Sequence, residues 1–111
     1  MTSTERLAAI QADLLQPDAG PQLARAHLVT LTAMWGDFVV AATTAEIAFA
    51  HVHGACRATH DTAKDAEIAA KSTAEYAAMR RAKDEEKFCL ELIRSCKAAM
   101  RSIDEELRLA R

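Results

Sequence analysis

Residues 79–110, MRRAKDEEKFCLELIRSCKAAMRSIDEELRLA, decide the fold. Within them Met79, Ala82, Cys89, Ile93, Cys96, Met100, Ile103, Leu107 and Ala110 advance in steps of three and four, interrupted only by Glu86. That spacing holds apolar side chains on one side of a helix and predicts a long amphipathic helix lying against another. A second line, Arg80, Lys87, Arg94, Arg101 and Arg108, places one basic residue in every heptad.

Working outward, the preceding 78 residues supply the helices for this one to pack on. Thr2 and Glu5 have the spacing of a capping box, and Leu7, Ile10 and Leu14 form a short apolar stripe ended by Pro17 and Gly20. A short helix over 3–16 follows. Pro21 suits a first helical turn, and no proline occurs after it. Leu31, Met34, Phe38, Ala41, Ala45, Ala48 and Val52 then predict a helix over 21–53, with Gly36 inside it.

Gly54 reads as a left-handed C-cap, and Asp61 or Thr62 as the next N-cap, so the turn is expected over 54–61 and a long helix over 62–110. A turn at Gly36 is the alternative. The fold class is therefore all-α, a single helical domain over 1–111: a long antiparallel helical hairpin with a short N-terminal helix and coiled-coil-like packing. The expected register brings Phe38 near Met79, Leu28 near Phe88 and Leu23 near Ile93, with alanines facing each other near the turn. Seam residues beyond the shorter arm must be covered by the first helix or by another copy. Ile93, Cys96, Met100, Ile103 and Leu107 are the expected oligomer interface, and a homo-oligomer that also binds another protein is the expected state.

The chain has 111 residues, with 14 Lys and Arg against 16 Asp and Glu, so no strong field draws it to nucleic acid or an anionic membrane. The basic line is the one surface that could track phosphates, and it is the alternative reading: Arg80, Lys87, Arg94, Arg101 and Arg108 as sequence-nonspecific nucleic-acid contacts. Asp84, Glu91 and Glu105 fall between these residues at helical offsets, which favours a solvated salt-bridge ridge. Glu86, inside the apolar seam, is expected beside His27 and Arg25 as a register-fixing pair.

His53, Cys56 and His60 carry metal-ligand chemistry and share a face if the helix persists through Gly54; a metal- or haem-binding bundle is the third reading. Their spacing matches no paired-ligand pattern, so no metal or cofactor is expected. Glycine-rich loops and nucleophile motifs do not occur, and no catalytic residue is assigned. Cys56, Cys89 and Cys96 are odd in number, and the last two sit about 10 Å apart along one helix, too far for a disulfide. Reduced thiols follow, in a cytoplasmic protein without a signal peptide; the run from Phe38 to Ala50 is too short to span a bilayer. Trp35 is expected as a core or interface anchor.

The run Tyr76, Met79, Arg80, Lys83, then Ile93, Ser95, Lys97, Met100, Glu105, Glu106 and Arg108 resembles small helical-hairpin proteins of phages and prophages, many without an assigned activity. The resemblance covers roughly the last forty residues. It implies a non-enzymatic accessory role, such as binding a host protein, a phage protein or DNA, in the virion or host cytoplasm, and assigns no site residues.

Overall fold

The computed structural model describes residues 1–110, apart from the side chain of Ile103. All regular structure among them is helical: α1 (Ser3–Leu14), α2 (Pro21–Thr59), α3 (Ala63–Lys71) and α4 (Ala74–Leu109), with α2 and α4 packed together. The chain forms two compact units, one of residues 1–36 and 87–111, the other of residues 37–86.

Local chemistry sets the helix ends. The Thr2 hydroxyl accepts from the Glu5 amide at 3.1 Å, which supplies the forward half of the capping box. Thr62, extended at φ −121°, does the same for Asp65 at 3.1 Å and caps α3.

Two boundaries differ from those the sequence suggests. Helix α2 runs on through Gly54 to Thr59, and no glycine has positive φ, so Gly54 is a helical residue and not a left-handed cap. Continuing the helix keeps Cys56 half-buried on the same side as Phe49 and Val52, at the roughly 1 kcal/mol that a mid-helix glycine costs. The turn is confined to residues 60–62. The expected helix over 62–110 is also interrupted, at Ser72 and Thr73. There the Thr73 hydroxyl donates to the Ala70 carbonyl at 2.6 Å and accepts from the Tyr76 amide at 3.3 Å, closing one helix and opening the next.

In the first unit, Leu7 and Ile10 of α1, Ala24, Leu31 and Met34 of α2, and Cys89, Leu92, Ile93 and Cys96 of α4 are buried. The Cys89 thiol donates to the Leu31 carbonyl at 3.6 Å. That pairing is about one helical turn from the expected register of Leu28 with Phe88, as follows from moving the turn toward the C-terminus. Asp13 of α1 meets His27 of α2 at 3.1 Å, tying the short helix down.

The core of the second unit is smaller and built from small residues: Phe38 and Ala42 of α2, with Ala66 and Ala70 of α3. Phe49 lies 5.2 Å from Tyr76 between ring centroids, and Glu46 pairs with Lys83 at 3.2 Å, so higher α2 numbers meet lower α4 numbers. Ala42 and Phe49 face inward where Ala41 and Ala48 were expected, because the larger Phe49 ring takes the packed position against Tyr76. Of the alanines expected to face each other, Ala66 and Ala70 are buried and Ala45 is half-buried, while Ala48, Ala55 and Ala63 are exposed.

Candidate interaction surface

The residues expected at an oligomer interface divide by burial. Ile93 and Cys96 are enclosed within the single chain at 8% and 0% exposure, so they are core residues and leave nothing for another copy to grip. Met100 is half-buried and Leu107 is 59% exposed; the side chain of Ile103 lies outside the described residues. The physical reason is α1, whose Leu7 and Ile10 belong to the same buried set.

The basic line Arg80, Lys87, Arg94, Arg101 and Arg108 is exposed along α4, as are Asp84, Glu91 and Glu105. Among the described residues no ion pair joins these charges into the expected ridge. Arg80 instead donates to the Tyr76 hydroxyl at 3.1 Å and lies 5.9 Å from its ring centroid. That bond, ahead of the nearby Asp84, raises the Arg80 pKa. Glu67 and Lys71 of α3 pair at 2.8 Å, and their mutual hydrogen bond pushes the carboxyl below and the ammonium above their usual ranges.

His53, Cys56 and His60 do not converge. The His53 ring stacks on Phe49 at 5.9 Å and His60 Nδ1 lies 2.7 Å from the Cys56 carbonyl oxygen; no group of three metal-ligand side chains forms among the described residues. A recess lined by Arg57, His60, Asp61, Thr62 and Ala63 carries charge of both signs. Glu86 is half-buried, and its expected partner His27 bonds to Asp13 instead. Trp35 is half-buried.

Burial also separates the thiols. Cys89 and Cys96 are fully buried, and desolvation pushes both above the ordinary thiol range, whereas Cys56 is half-buried. A disulfide-exchange reagent should therefore titrate one thiol quickly in the native protein and three after denaturation. Because the unfolded chain releases those two protons at lower pH than the native one, native stability falls as pH rises through the ordinary thiol range. Fast reaction of all three native thiols would contradict this burial.

The surface that sequence reasoning missed lies on α2. Its inner stripe, Leu31, Trp35, Phe38, Ala42, Ala45, Phe49, Val52 and Cys56, is buried or half-buried throughout. Two residues earlier at every step runs another: Val29, Ala33, Gly36, Val40, Thr43, Ile47, Ala50 and Gly54. Two residues are about 200° of helix, so this second stripe points away from the first. Every member is exposed, with Val29 at 68%, Val40 at 65% and Ile47 at 55%, and none is charged. An 18-residue window of α2 reaches a mean hydropathy of 1.4 with only 22% of it buried, so by length and composition α2 could cross a membrane. The signal was present as a second three-and-four periodicity, masked by the first because the helix is apolar on both sides.

No protein-family model, curated protein or solved structure matches the chain.

Proposed function

We propose that this chain is a non-enzymatic helical assembly protein, in which α2 and α4 are the arms of an antiparallel hairpin, α1 closes its open end, and the outer face of α2 docks against another helix. The observation that carries this reading is the uncharged, exposed stripe from Val29 to Gly54 on the most apolar helix. A helix apolar on both sides needs a second partner to remove the outer side from water. A bilayer would satisfy the apolar residues but not the carboxylates of Asp37 and Glu46; an aspartate costs about 2.5–3.5 kcal/mol at a bilayer centre. A phage or prophage accessory role agrees with such a protein, and so does a cytoplasmic location.

The basic line of α4 is the competing surface, for nucleic acid, and its interleaved acids weaken the field it would need.

Sedimentation of the purified protein tests the assembly reading. The parent should sediment as an oligomer, and Ile47→Asp should shift it toward the monomer with an unchanged helical circular-dichroism signal, because the site is open in the single chain. A parent that stays monomeric across the whole micromolar range would refute the proposal.

A further inference from the structure

Resting on that reading, we infer that the occupant of the outer α2 face is the same face of a second copy, the two helices antiparallel about a two-fold axis passing between Ala41 and Ala42. The order of side-chain sizes along the stripe identifies this partner. Set antiparallel, two of the three large apolar residues of one copy fall opposite a glycine of the other, Ile47 opposite Gly36 and Val29 opposite Gly54, while Val40 lies beside the similarly sized Thr43 next to the axis. A two-fold interface must be self-complementary, and a stripe whose two glycines each receive a β-branched residue from the other copy meets that demand. A Cβ placed at Gly36 or at Gly54 would meet nothing within 4 Å in the single chain, so the space beside both glycines is free to receive a side chain from another copy.

Charge agrees with size. The stripe is uncharged for about 38 Å of helix axis, and its flanking acids do not oppose each other across the two-fold. Asp37 of one copy lies between Thr44 and His51 of the other, and Glu46 lies toward Val39. A parallel pairing would instead stack Gly36 on Gly36 and Ile47 on Ile47, leaving a void at one level and crowding at the other.

Cysteine cross-linking in the full chain decides the geometry, in a Cys56→Ser background that leaves only the buried Cys89 and Cys96. Gly36→Cys and Ile47→Cys together should give a covalent dimer on mild oxidation, and neither alone should. The two cysteines cannot bond within one chain, being about 16 Å apart along the helix. Gly36→Leu, which fills that space, should weaken association at least tenfold while preserving the helical signal. Cross-linking by either single cysteine would mean a parallel pair and overturn the inference. An oligomeric mass without 36–47 cross-linking would also overturn it, leaving assembly through another face. A monomeric mass at every concentration would remove this inference and the assembly reading together.

Discussion

A Leu31→Ala chain should melt roughly 10–20 °C below the parent, corresponding to a loss of about 2–5 kcal/mol for truncating a buried leucine. Leu31 is 0% exposed, in the buried set that includes Leu7 of α1 and Cys89 and Cys96 of α4. Removing its isobutyl group leaves a void that the neighbours fill only in part, because they are held by helices already tied through the Cys89 thiol and by Asp13 with His27. The matched control is Val29→Ala, two residues earlier on the same helix and 68% exposed. Measured at low concentration, where association does not contribute, it should change stability by less than about 0.5 kcal/mol. Thermal denaturation by circular dichroism checks both; equal effects would mean the burial pattern of α2 is misassigned.

The second large effect belongs to the other unit and has the opposite cause. Ala66 and Ala70 are both fully buried, so α3 is held where only methyl groups fit. Ala66→Leu adds three carbons at a position with no room and should cost about 1–3 kcal/mol through displaced backbone or off-rotamer side chains. The loss should appear as faster amide exchange in α3 and in residues 37–59, and chemical denaturation should give its size. Ala66→Ser, close in volume, should be far milder. A stabilised Ala66→Leu protein would show a cavity beside α3.

Much of this architecture is written in residue spacing. The stripe containing Cys89, Ile93 and Cys96 is buried as its periodicity requires, and Thr2 and Thr62 cap the helices where their side chains can reach the third amide onward. Even the interruption at Ser72 and Thr73 has a sequence cause. Continued without a break, the stripe through Ala66 and Ala70 would carry Arg80, Asp84 and Lys87 inward. The break resets the phase so that Tyr76, Met79 and Ala82 turn inward instead. The clash of phases was legible, but the Thr73 hydroxyl that resolves it is read only from its two hydrogen bonds.

The candidate surface was less legible, for a reason that lies in α2 itself. A helix whose apolar residues follow two stripes about 200° apart has no preferred inner side by pattern alone. Phe49 and Tyr76, Ala42, and the thiol of Cys89 against the Leu31 carbonyl choose which stripe is inside. That choice leaves Val29, Val40 and Ile47 in water.

By itself, then, the sequence determined that the chain is helical, where most helices begin, and which side of α4 is buried, because these depend on backbone capping and periodicity within a single segment. Only the tertiary structure decided that Gly54 stays helical, that Ile93 and Cys96 are core rather than interface, and which side of α2 remains open. Those outcomes depend on which side chains from distant segments fill the same space, and that competition is settled by volume and contact rather than by spacing along the chain.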